Sequence, residues 1–139
     1  MGRDHGVNTK GVLYGIAAAL PVFRKQSLRH FVNIASTAGL KTVANQAVYS
    51  GSKFAVRAIS EGLRQEAGNN IRVTTISPGV VQTNFIDGIP NQEVKDQLTS
   101  VRDGLVLRPE AVVRPIVYAI EQPSDVDINE IVIRPTAQM

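Results

Sequence analysis

The sequence predicts an α/β fold: the C-terminal part of a doubly wound parallel sheet, about three strands with crossover helices. Two observations predict it. Short apolar, β-branched runs alternate with longer segments whose apolar residues return every three or four positions. The first two runs also end in small polar residues, as strands do where they open a ligand crevice. The order is helix, strand, helix, strand, irregular segment, helix, strand. Right-handed crossovers would lay the strands parallel in one sheet. The leading helix has no strand before it to cover, so residues 1–139 are expected to form a single partial domain, the end of something longer.

The first helix is expected from about Asn8, with Val12, Ile16, Ala19, Leu20 and Phe23 on one face. Pro21 should bend it or loosen its last turn. Residues 1–6 lack an apolar pattern and read as an atypical start. Residues 31–35 (FVNIA) form the first strand and run into Ser36-Thr37-Ala38-Gly39, small enough for a close backbone approach; 39–47 reads as loop. Residues 47–67 are the clearest helix, with Phe54, Ala55, Ala58, Ile59 and Leu63 as its apolar side and Gly68-Asn69-Asn70 as its stop. Residues 71–76 give the second strand, ended by Ser77-Pro78-Gly79. A short turn is expected over 82–88 and a helix over 91–101. Pro109 opens the last helix, with Val112, Val113, Ile116, Ala119 and Ile120 as its buried face and Pro115 disturbing its middle. Residues 129–133 form the final strand.

Composition narrows the function. A chain with 43% hydrophobic and 19% charged residues can build a core. The net charge of +3 is too small to indicate nucleic acid, although residues 1–70 carry nine basic and three acidic side chains. That basic half suits an anionic cofactor or partner, or is simply a solvated face. Without cysteine there is no disulfide, thiolate metal site or cysteine nucleophile, and His5 and His30 lack neighbouring ligands for a metal. No run is long and apolar enough to span a membrane, and residues 1–10 lack an apolar signal core, so a cytoplasmic location is expected. Arg24, Lys25 and Arg29 read as complements to a helix dipole. His30 reads as a surface or loop residue, and Tyr14 and Tyr118 as partly buried helix residues.

Chemistry concentrates in Tyr49-Ser50-Gly51-Ser52-Lys53. Tyr49 and Lys53 are four apart at a helix start and therefore share one face. A tyrosine ordinarily titrates at about 10, and a neighbouring ammonium favours its phenolate, which makes it usable as an acid or base. Ser36 lies thirteen residues earlier, at the carboxyl end of the first strand, and Ser77 and Gly79 end the next strand at the same sheet edge. Each feature alone has a bland reading, since such pairs and serines are common. Their convergence on one edge points to an acid/base site.

These segments resemble the short-chain dehydrogenase/reductase superfamily over nearly all of residues 7–139. Asn8 in Val7-Asn8-Thr9-Lys10-Gly11 matches its helix-borne asparagine. Asn33-Ile34-Ala35-Ser36 matches its serine segment, Tyr49-x-x-x-Lys53 its signature pair, and Ser77-Pro78-Gly79 with Thr83 the segment beside the nicotinamide. The resemblance implies a Rossmann-like sheet, NAD or NADP as cofactor, and a small carbonyl or alcohol substrate. It implies that Tyr49 exchanges a proton with the substrate oxygen, and that Lys53 tunes Tyr49 and holds the ribose hydroxyls. By the same resemblance Ser36 holds the substrate oxygen and Asn8 supports a water path to Lys53. Thr83 and the backbone near Val81 orient the carboxamide, with Pro78 and Gly79 shaping the floor. Residues 80–108 become a substrate lid, with Phe85, Ile86, Ile89 and Leu98 as its apolar side chains. Helices 9–25 and 48–67 become a possible homo-oligomer contact.

The sequence also departs from that pattern. No strand followed by a glycine-rich turn, the family's pyrophosphate seat, occurs in it. Oxidoreductase activity is then expected only if that cofactor-binding half is supplied. The alternative is a non-catalytic oligomerisation or interaction module.

Overall fold

A computed structural model describes residues 2–26, 28–42, 44–81, 91–93, 96 and 106–138. Helix α1 (Gly2–Lys25) begins well before the apolar pattern, so residues 2–6 extend the helix rather than precede it. Pro21 cannot donate to the Ala17 carbonyl, yet the helix continues a further turn to Arg24 and Lys25, whose charges complement its C-terminal end. There follow β1 (Arg29–Ile34), a single 3-10 turn (Thr37–Gly39), α2 (Ala47–Glu66), β2 (Ile71–Pro78), α3 (Pro109–Ile120) and β3 (Glu130–Ile133). The three strands are parallel in one sheet, as the sequence predicts, and lie in the order β1-β2-β3. Because β3 starts late, side chains complete the ladder. Asp127 accepts from the Val73 amide at 3.1 Å, and Asn129 donates to the Val73 carbonyl at 3.1 Å.

Strand alternation sorts the two faces of the sheet. Phe31, Ile71 and Val73 look toward α2 and α1, where they form the core with Leu63 and Ala67, flanked by Ile16, Ala19, Leu20 and Phe23. His30, Arg72, Thr74 and Ile76 take the opposite face, which α3 covers. The Arg72 guanidinium donates to the carbonyl oxygens of Ala119, Ile120 and Gln122 at the end of that helix. Both crossovers step the same way along the sheet, yet α2 and α3 lie on opposite faces. Their hands are therefore opposite, and the expectation of right-handed crossovers fails for one of them. The long 79–108 connection supplies the reason: a helix fed directly by a twisted strand inherits its hand, and a helix reached over so long a segment need not.

Several side chains sit differently from the pattern-based expectation. The buried residues of α2 are Ser50, Ser52, Val56, Ser60 and Leu63, whereas Phe54 and Ala58 are exposed. Small serines let the helix approach the sheet closely; Ser52 and Ser60 satisfy themselves locally, whereas Ser50 Oγ is buried with no hydrogen-bond partner among the described residues. Ser60 Oγ donates to the Val56 carbonyl at 2.7 Å and accepts from Asn33 Nδ2 at 2.9 Å. On α3, Ala119 is buried while Val113 and Ile120 face solvent, and the helix is continuous through Pro115. Tyr14 and Tyr118 are 69% and 57% exposed, not partly buried, because neither points at the sheet. His30 is a strand residue rather than a loop one. Thr74 Oγ1 donates to the Ile128 carbonyl at 2.6 Å, so it accepts from His30 Nε2 at 2.6 Å, and His30 Nδ1 is buried without a partner. The expected turn at 82–88 lies outside the described residues, and the expected helix at 91–101 lies largely outside them.

Candidate active site

All three strands end on one side of the sheet, where an open parallel sheet offers its crevice. Ala35 is still paired there, donating to the Ile76 carbonyl at 2.7 Å, so Ser36 leaves the sheet from a fixed backbone. Ser36 is buried and extended, and it caps the 3-10 turn by accepting from the Ala38 amide at 3.1 Å. One lone pair of its hydroxyl is thus engaged. Its hydrogen meets no acceptor among the described residues.

The turn then locks onto α2. A Cβ on Gly39 would stand 2.8 Å from the Lys53 carbonyl oxygen and 2.9 Å from its carbon, so this close approach admits only glycine. The Gly39 carbonyl in turn accepts from Arg57 Nη1 at 2.9 Å. The segment that presents Ser36 is therefore seated on the helical turn that carries Lys53.

Tyr49 and Lys53 share a face of α2 as their spacing predicts. Lys53 Nζ lies 5.8 Å from the centre of the Tyr49 ring, within cation–π range, and both side chains are half-buried. Burial pushes the Lys53 ammonium below its ordinary value, since water no longer fully solvates the charge. Ser52 Oγ donates to the Tyr49 carbonyl at 2.7 Å and steadies the first turn.

The remaining candidates are placed less closely. Asn8 is exposed on α1, and no hydrogen bond joins its side chain to Lys53 among the described residues. Pro78 is buried at the end of β2, and the Gly79 amide donates to the Ile133 carbonyl at 2.7 Å. The Val80 amide donates to Gln138 Oε1 at 3.3 Å, and Val81 bridges Leu107. Thr83 lies outside the described residues, as do the expected lid residues Phe85, Ile86, Ile89 and Leu98. The residue that sequence reasoning missed is Arg57. Its signal was present, for Tyr49, Lys53 and Arg57 repeat every four positions along one stripe. Among the described residues no helix is long and apolar enough to cross a membrane, and no group of three acidic or histidine side chains could hold a metal.

The family model for short chain dehydrogenase matches residues 5–94. The chain belongs to the short-chain dehydrogenase family. Within it, the chain is 47% identical over 135 residues to an uncharacterised oxidoreductase of Staphylococcus saprophyticus, covering 95% of this chain and 54% of that one. Among solved structures it matches the closed form of a serine dehydrogenase complexed with NADP+ (TM-score 0.83, 32% identity, 95% of this chain and 54% of that one). It also matches serine dehydrogenase from Escherichia coli (TM-score 0.78, 28% identity, 100% of this chain and 56% of that one). The chain spans about half the length of the curated relatives it matches.

The donor set fits one end of the family's dinucleotide. A half-buried ammonium beside a phenol suits the hydroxyls of a ribose, and the Gly79–Val81 backbone leaves the sheet at the same carboxyl edge. Among the described residues no strand, glycine-rich turn and helix start combine to offer the amide cradle a pyrophosphate needs.

Proposed function

We propose that these residues supply the acid–base half of an NAD(P)-dependent short-chain oxidoreductase that interconverts a carbonyl and an alcohol. The observation that carries this reading is the half-buried Lys53 ammonium beside the Tyr49 phenol, on the helix that seats the Ser36 turn. Tyr49 gives its proton to the carbonyl oxygen during reduction and takes one from the alcohol during oxidation. Lys53 offsets the negative charge left on the phenolate, and its other N–H groups hold the ribose hydroxyls. Ser36 donates its O–H, which meets no acceptor among the described residues, to the same substrate oxygen while its oxygen accepts from the Ala38 amide. Asn8 supports a water path that exchanges the proton with solvent by way of Lys53. The NAD or NADP, when bound, supplies or accepts the hydride. Pro78, Gly79, Val81 and Thr83 form the wall at the nicotinamide end. Competence requires a glycine-rich cofactor-binding half in addition to these residues.

The test uses the full-length protein with NAD+ and NADP+ and, as first probe, serine, after the related enzymes. Tyr49→Phe should lower kcat by about 100- to 10,000-fold with an unchanged circular dichroism spectrum. Wild-type turnover in that variant would refute the reading.

A second observation supports a partner. Val7, Tyr14 and Val22 on α1 and Val48 and Phe54 on α2 are exposed apolar side chains, and α1 packs beside α2. We infer that the two helices pair with those of a second copy. Light scattering should then give a dimer or larger, and Phe54→Glu should shift it toward monomer; a wild-type monomer at every concentration would contradict the inference.

A further inference from the structure

We propose that Arg57, held by Glu130, is a positioning residue for the Ser36 turn. The proposal rests on the acid–base reading above and deepens it. Arg57 stands one turn beyond Lys53 on the same stripe of α2. Its Nε donates to Glu130 Oε1 at 2.7 Å, and its Nη1 donates to the Gly39 carbonyl at 2.9 Å. One guanidinium thus joins the first residue of β3 to the last residue of the turn that Ser36 caps. The fork is planar and rigid, so anchoring one arm on Glu130 sets the direction of the other. The two side chains are 29% and 40% exposed, and a pair so open to water adds little to stability. Its consequence is geometric.

The path from Arg57 to Ser36 is short and continuous. The Gly39 amide donates to the Ser36 carbonyl at 2.9 Å, and the Leu40 and Lys41 amides donate to the Thr37 carbonyl at 3.0 and 3.2 Å. With Ser36 Oγ bonded to Ala38, the turn moves as one body. On its inner side Gly39 already touches the Lys53 backbone and cannot advance. Arg57 keeps it from retreating. Without that hold the Ser36 hydroxyl loses its fixed offset from the helix that carries Tyr49.

The experiment compares Arg57→Ala with wild type in the full-length protein, by hydrogen exchange and by serine turnover. Exchange at Gly39, Leu40 and Lys41 should quicken while that at Val73 and Ile76 in β2 stays unchanged. The kcat should fall by up to about 100-fold, with KM changed far less. In a Ser36→Ala background the same substitution should cost almost nothing, because the hydroxyl it positions is gone. Arg57→Lys should recover part of the loss, since an ammonium reaches only one of the two acceptors. Glu130→Ala, which keeps the Gly39 bond and carries little folding risk, should show the same pattern more weakly. Unchanged exchange at residues 39–41 in both alanine variants, or an equal kcat loss with and without the Ser36 hydroxyl, would overturn the proposal. If Tyr49→Phe kept full turnover, the acid–base reading would fall, and the exchange result would still judge the strap.

Discussion

Gly39→Ala probes the same seat from its other side. The added Cβ would stand 2.8 Å from the Lys53 carbonyl oxygen, and ordinary contact begins at 3.4 Å, so the turn must retreat by about 0.6 Å. The obstacle is helix backbone, paired within α2, and cannot swing aside as a flexible side chain would. A retreat of that size stretches the 2.9 Å bond from Arg57 to the Gly39 carbonyl beyond useful length. Overpacking typically costs about 1–3 kcal/mol, and losing a hydrogen bond to a charged group a further amount of about 1.5–3 kcal/mol. Because the turn can relax toward solvent, the sum should fall in the lower half of the combined range, about 2.5–4 kcal/mol. Urea unfolding of the full-length protein measures this as a lowered midpoint at constant slope. Turnover should fall more steeply than stability, since Ser36 moves with the turn. A variant with the wild-type midpoint and kcat would show that the glycine is incidental and that the Ser36 turn is not seated on Lys53.

Two further outcomes follow from buried charge. His30 lies below its ordinary pKa because burial penalises its cation; Arg72 adds repulsion and Asp127 opposes it. The unfolded chain therefore binds more proton on acidification, and stability present above about pH 6.5 is lost as pH falls. The urea midpoint should drop between about pH 7 and 5, and His30→Gln should flatten that drop; identical slopes in the two proteins would contradict the assignment. Lys53 is also held below its ordinary value by burial alone, so its charge is a cost to folding at neutral pH that is relieved as pH rises through the lowered value. Lys53→Met should keep or raise the urea midpoint while lowering turnover by at least about 100-fold. A clearly lower midpoint would show that the ammonium serves the fold rather than the chemistry.

What the sequence disclosed, and what it withheld, divides by the range of the interaction. Residues 31–35 and 71–76 were legible as strands because β-branched apolar runs have few other uses, and Tyr49 and Lys53 were legible as a pair because helix geometry alone places residues four apart together. The buried side of α2 was not legible from hydrophobicity. Ser50 and Ser60 are fully buried where Phe54 is exposed, because close packing on a sheet selects small volume before oiliness. His30 was misread for the same reason in reverse: its partners Thr74 and Ile128 are supplied by β2 and the approach to β3, far along the chain. The hand of the second crossover was invisible because the rule behind it weakens once a long segment separates strand from helix. Gly39 was expected to permit a close approach, but what it approaches could not be read. Arg57 belongs to both groups. Its spacing from Lys53 is local, whereas its meaning comes from Glu130, 73 residues away, and from a carbonyl 18 residues back. Spacing on a helix can therefore nominate a residue for the site. Only the groups brought to it by the fold decide whether it does chemistry or holds in place the residue that does.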